Sequence, residues 1–301
     1  MKRIIASAGL VAVSATGLYG QAAPAETRLT TTKPWTVSAA LRGFYDDNIV
    51  SAPNLSNRKE ESFGISVRPS AAINLRPQEQ TAFGASYAYG MKWYEARDDE
   101  PVDQSHEVGL NLSHRFNPRY RVALNDSFVY SQEPELIDGA GRAQTTFVRS
   151  NLDAIRNRGA VEFNAGLTEV LGLALGYENA YYDYLDNDSL LSTLLNRIEH
   201  QVRVDGRYQA RPNLVGILGY QYGRSDYTSD DPVNPLNPLS IAGSDRSSQT
   251  HSGYVGAEYT LSKKLSARGN AGVTYAVFDD LDEDAVSPYA DISLTYRYLP
   301  G

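Results

Sequence analysis

Between Trp35 and Tyr45 every second residue is apolar or small (Trp35, Val37, Ala39, Leu41, Gly43, Tyr45), while Thr36, Ser38, Ala40, Arg42 and Phe44 fill the gaps. The same alternation returns about twelve times along the chain. A period of two puts alternate side chains on opposite faces of a strand, so each segment has an apolar face and a wet one. In a soluble β protein the apolar face packs inward. Here the other row is too polar and too charged, over too many segments, to be an ordinary outer surface, and the inside-out arrangement of an outer-membrane barrel fits better.

The first residues read as an export signal. Lys2 and Arg3 form a positive start, Ile4 to Leu18 an apolar and small-residue stretch, and Gly20, Gln21 and Ala22 a cleavage region. The expected division is a signal peptide over 1–22, cut between about 20 and 25, followed by one barrel domain over 34–299. Beyond the signal no apolar run reaches the length of about eighteen residues that a spanning helix needs, which leaves a closed barrel as the way to cross a bilayer with every backbone group paired. Cysteine is absent, so no disulfide framework is expected. The formal charge of −8 argues against nucleic acid as a partner. Tyrosine, at 21 residues, is the compositional outlier, and barrels place such rings in girdles at the two membrane interfaces.

The second segment is the cleanest. Phe63, Ile65, Val67, Pro69, Ala71, Ile73 and Leu75 share one parity; Ser62, Gly64, Ser66, Arg68, Ser70, Asn74 and Arg76 share the other, and Arg76-Pro77-Gln78-Glu79 makes a tight turn. Further short turns fall near Pro118, Glu169, Pro212 and Lys263, and between them lie longer polar connections, from Asp47–Glu60 through Asp279–Val286. Short and long connections alternate without a slip, as periplasmic turns and extracellular loops do. His106, His200 and His251 each open a strand at the same distance before a short turn and share the outward parity, which points to an interfacial role rather than to metal ligation. Trp35, Phe116, Tyr120 and Tyr208 form one aromatic girdle and Tyr45, Trp93, Tyr130, Tyr181, Tyr220 and Tyr222 the other; Tyr94, Tyr182 and Tyr184 face inward, where rings can stack on sugars. Asp126 has the outward parity among Tyr120, Val122, Leu124, Phe128 and Tyr130, and a local β-bulge turning it inward is expected.

The parity assignment gives the lumen Arg42, Arg68, Lys92, Arg115, Arg121, Arg156, Arg158, Arg203, Arg207, Arg268 and Arg297, against Glu107, Glu162, Glu178, Glu199, Asp205, Glu258 and Asp291. This mixture has a basic excess. The planar guanidinium fork suits carboxylate, sulfate or phosphate, so a basic constriction would favour anionic solutes. The same side chains can instead pair across neighbouring strands and plug a narrow barrel. No catalytic residues are assigned: GxSxG, HExxH and glycine-rich phosphate motifs are missing, and the histidines point away from the acidic residues. No cofactor or metal is expected, because the carboxylates at Asp279, Asp280, Asp282, Glu283 and Asp284 lack the spacing of a calcium loop.

The chain resembles the β-barrel porin type 2 family of bacterial outer-membrane proteins over most of its mature length. The residues that carry the likeness are Tyr45-Asp46-Asp47-Asn48, the strands opened by His106, His200 and His251, the turns Asn117-Pro118-Arg119 and Arg211-Pro212-Asn213, and the run Tyr181-Tyr182-Asp183-Tyr184. The resemblance implies location in the outer membrane of a Gram-negative-type bacterium, a transport role, and an association with exopolysaccharide export. Expected partners are outer-membrane lipid and an anionic solute or polysaccharide. Two other readings stay open: an occluded structural or adhesive barrel, and a barrel enzyme. The last strand, with Ile292, Leu294, Tyr296 and Tyr298 alternating before Leu299, Pro300 and Gly301, is expected to close on the first; otherwise strands are missing.

Overall fold

The computed structural model describes residues 33–47, 49, 61–98, 101–132, 153–185, 190–232, 241–279 and 284–298; the expected signal peptide lies outside them. The strands are β1 (Trp35–Asp46), β2 (Ser62–Gln78), β3 (Thr81–Tyr94), β4 (Val102–Asn117), β5 (Tyr120–Ser131), β6 (Ala154–Gly166) and β7 (Leu171–Tyr184). They continue through β8 (Arg197–Arg211), β9 (Leu214–Tyr227), β10 (Ser248–Thr260), β11 (Leu265–Phe278) and β12 (Asp284–Tyr296). Together they form a single all-β, up-and-down sheet of 12 strands, each antiparallel to the next in the chain. Strands of 12 to 17 residues exceed the roughly 9–11 that a tilted strand needs to cross a bilayer.

The short turns close by side-chain chemistry. Asn117 Oδ1 accepts from the amides of Arg119 (2.8 Å) and Tyr120 (3.1 Å), and Thr168 and Ser262 hydroxyls do the same for Leu171 (2.9 Å) and Leu265 (3.1 Å). The first turn is displaced from its expected place: β2 runs on to Gln78, the turn is Glu79-Gln80, and the ladder is irregular between Leu75 and Gln78. Pro77 has no amide hydrogen to give the ladder, and an irregular step lets the strand pass it. Two of the long connections hold elements that alternation could not signal, a short helix α1 (Leu190–Leu195) and a 3₁₀ turn at Ser244–Arg246.

Two expectations are corrected. The bulge at Asp126 is not formed: β5 pairs continuously with β4 and β6 through Leu110, Asp126 and Gly159, so the carboxylate keeps the apolar face. Asn157 on the same face donates to both of its oxygens, at 3.2 and 3.3 Å, and Gly159 leaves it room, so the ladder need not break to satisfy it. Nor does β12 close on β1; among the described residues each carries one ladder, β1 to β2 and β12 to β11. Consecutive strands are put in register by a turn, whereas the two outer strands could meet only through the summed curvature and shear of the sheet.

The burial pattern sets the two faces apart. Phe63, Leu218 and Ile292 stand 62%, 69% and 78% exposed on the apolar face. Among the described strand residues that are buried, all but Ala165 lie on the polar face, including Arg197, Asp205, Ser252 and Tyr254. That is the reverse of a soluble β protein, whose oily row would form the core.

Leu218→Arg distinguishes the two solvents. In a lipid bilayer the substitution is expected to destabilise the protein by about 2–4 kcal/mol, as read from urea unfolding in liposomes. An aqueous outer surface would register within about 0.5 kcal/mol.

Candidate functional site: the polar face

The register places Arg42, Arg68, Lys92, Arg115, Arg121, Arg156, Arg158, Arg203, Arg207 and Arg268 on the face opposite Leu41, Val67, Trp93, Leu112, Val161 and Val204. Glu107, Glu162, Glu178, Glu199, Asp205, Glu258 and Asp291 lie on the same side, and Arg297 follows β12 with the same parity.

This face is concave, because side chains meet across intervening strands. Arg68 of β2 reaches Glu107 of β4 at 2.6 Å, Arg207 of β8 pairs with Glu258 of β10, and Arg203 of β8 lies 3.8 Å from Glu162 of β6. Arg158–Glu178 (2.7 Å), Arg268–Glu258 (3.3 Å) and Arg203–Asp205 (3.6 Å) extend the network. Some crossings run over small residues. Tyr254 of β10 donates its hydroxyl hydrogen to Asp205 of β8, passing over Gly219 of β9, which lies opposite both. A Cβ on Gly219 would stand 2.2 Å from the Tyr254 ring. Phe44 crosses Gly64 in the same way to meet Tyr94 edge-on at 5.3 Å.

The two halves of the face differ in side-chain size. β1 to β5 present mostly small groups, with Thr36, Ser70, Ala72, Ser86, Ala88, Gly109 and Ser127 beside Glu107 around a shallow cavity of about 220 Å³. β6 to β10 present the long ion-paired arginines, Asp205 and Tyr254.

At the ends joined by long connections the face is packed. Tyr182, Tyr184, Ala154 and Ala180 form a buried cluster with Leu195 of α1 against it. Arg197, 2% exposed, lies 4.1 Å above the Tyr182 ring and bonds Glu199 at 2.6 Å. Arg246 stacks on Tyr227 at 4.2 Å and donates to the Leu194 carbonyl, tying the β9–β10 connection to α1. Tyr94 is likewise buried beneath Arg97. The three tyrosines considered for sugar stacking are thus enclosed, Tyr94 by Arg97 and Phe44, Tyr182 by Arg197, and Tyr182 and Tyr184 by their cluster with Ala154, Ala180 and Leu195.

The histidines are on the apolar face, as expected, but alternation did not reveal their partners. Tyr87–His106, Tyr177–His200 and Tyr220–His251 repeat one diagonal hydrogen bond, at 2.8, 2.9 and 2.7 Å. The signal was a tyrosine recurring in each preceding strand two positions away from the residue that faces the histidine. At the outer edge Arg224 holds Asp279 with two bonds (2.8 and 2.6 Å) and Asp226 with a third (2.6 Å). The guanidinium keeps the Asp279 carboxyl below its ordinary range. Asp284 accepts from Tyr275, while Asp280, Asp282 and Glu283 lie outside the described residues.

No protein-family model and no curated protein matches the chain. Similar solved structures include the outer membrane channel DcaP of Acinetobacter baumannii, 14% identical over 87% of this chain and 71% of its own, with a TM-score of 0.45. A loop L8 deletion mutant of OmpT, an outer membrane protein of Vibrio cholerae, is 11% identical over 88% of this chain and all (100%) of its own, with a TM-score of 0.42. A KdgM porin is 12% identical over the same shares, 88% and 100%, with a TM-score of 0.32. At these TM-scores the likeness carries no functional conclusion.

Gly219→Val forces Tyr254 away and strips buried Asp205 of its hydrogen bond. Destabilisation of about 1–3 kcal/mol is expected from urea unfolding. Gly253→Val, whose new Cβ meets nothing within 4 Å, is the control and should stay within about 0.5 kcal/mol.

Proposed function

We propose that the chain is an outer-membrane barrel of porin type that passes small solutes, anionic ones in preference. The observation that carries this reading is the inverted burial: an oily, aromatic-bordered face open to the surroundings and a charged face that converges on itself. An apolar exterior of this extent is untenable in water and suited to acyl chains. The charge on the converging face favours anions, because several arginines there have no carboxylate partner among the described residues (Arg42, Arg115, Arg121 and Arg156). The finer assignment to exopolysaccharide export rests on the family resemblance alone.

A specific observation favours a second reading, that of an occluded structural or adhesive barrel. The Arg–carboxylate pairs and the buried Tyr182–Tyr184–Arg197 cluster fill part of the interior.

Planar-bilayer recording separates the two. The channel reading expects discrete conductance and, in a salt gradient, a reversal potential displaced towards the anion equilibrium potential. Absence of conductance overturns it in favour of the occluded barrel.

Either reading needs partners for β1 and β12, since unpaired strand edges are not tolerated in hydrocarbon. The chain has no native cysteine, so Val37→Cys can be combined in turn with Ile292→Cys, Leu294→Cys and Tyr296→Cys. Oxidation in liposomes is expected to link one combination within a single chain. Links found only between chains would show instead that the edges pair with another copy.

A further inference from the structure

At the end of the polar face nearest the short turns, two arginines occupy directly opposed positions: Arg115 of β4 pairs in register with Arg121 of β5. Like charges facing each other across a ladder are mutually unfavourable. Several arginines elsewhere on this face are matched to acids, as in Arg68–Glu107, Arg158–Glu178 and Arg207–Glu258. Among the described residues neither Arg115 nor Arg121 has such a match. Both line a cavity of about 360 Å³, together with Arg119, Arg207, Asn164 and Gln209. One carboxylate, that of Glu169, also borders it, and Arg207 is already engaged by Glu258.

We propose that Arg115 and Arg121, with Arg119 beside them, form a binding site for a divalent oxyanion, a sulfate or phosphate group held between the two guanidinium forks. An anion there supplies the opposite charge that the fold does not, and each planar fork can donate two parallel hydrogen bonds to neighbouring oxygens. Gln209 offers a neutral amide at the margin, while Asn164, opposite Arg121 in the next ladder, donates its amide to Glu162 at 2.5 Å. The site deepens the channel reading and rests on it for the route by which the anion arrives. It would sit at the mouth that the short turns surround, where a weakly held ion raises the local concentration of its kind without blocking passage.

The test is equilibrium binding of inorganic sulfate, and separately of inorganic phosphate, to the full-length protein folded in zwitterionic detergent micelles, followed by calorimetry at low ionic strength. The double variant Arg115→Gln/Arg121→Gln is expected to bind about tenfold more weakly or worse. Lys263→Gln/Lys264→Gln, which removes the same charge from the short turn between β10 and β11, outside the cavity lining, should bind as the parent does. A second readout follows from the opposed charges. In anion-free buffer, Arg115→Gln alone should unfold at a higher temperature than the parent, and added sulfate should reverse that order. Equal affinities in the parent and the Arg115→Gln/Arg121→Gln variant overturn the site, as does equal loss in both double variants, which would mean only diffuse attraction. Binding that disappears with Arg115 and Arg121 in a protein that does not conduct would retain the site and refute the channel; conduction with unchanged binding would do the converse.

Discussion

The antiparallel ladder is the constraint on which everything else depends. Each strand is hydrogen-bonded to its neighbour in the chain, and the register that results links the parity of one strand to the parity of the next. A slip of one residue would turn a whole strand's oily row over. Because Trp35 faces Ile73 and His251 faces Tyr275, and each strand is paired with the next, the apolar row continues from β1 to β12. The charged row continues behind it.

A charged row on a concave face has its own energetics. Strands two apart come close enough for long side chains to meet, and in places a glycine between them makes the room. Asp205 is buried because Gly219 lets the Tyr254 hydroxyl reach it, and Arg203 crosses Gly176 towards Glu162. Such pairs are costly to separate, since removing one partner leaves the other desolvated and unmatched. The same face leaves Arg115 opposite Arg121, an arrangement that a protein needing only stability would gain by replacing. That contrast, between arginines matched to acids and arginines matched to each other, is the basis for reading part of the face as packing and part as a place for a solute anion.

The apolar face follows a similar economy of polar groups. The three tyrosine–histidine pairs lie towards the ends with long connections, where a ring with a polar tip suits the headgroup zone. Asp126 departs from the pattern, and its departure is contained locally by the amide of Asn157. A sequence reading that considers one strand at a time sees an acid on the wrong face and reaches for a bulge. The neighbouring strand removes the need.

Alternation by itself determined the twelve strands, their faces and the side on which Arg68, Glu107, Asp205 and Arg207 stand, because a period of two leaves only one choice once the oily row is identified. It could not say which of these charges meet, since Arg207 and Glu258 are 51 positions apart and come together only when β9 carries them side by side. The enclosure of Tyr94, Tyr182 and Tyr184 was likewise beyond it, because α1 and Arg97 belong to connections whose pattern has no period. The missing ladder between β1 and β12 lies in the same class. Local pattern specifies each hairpin, whereas contacts across several strands depend on the curvature that all of them build together.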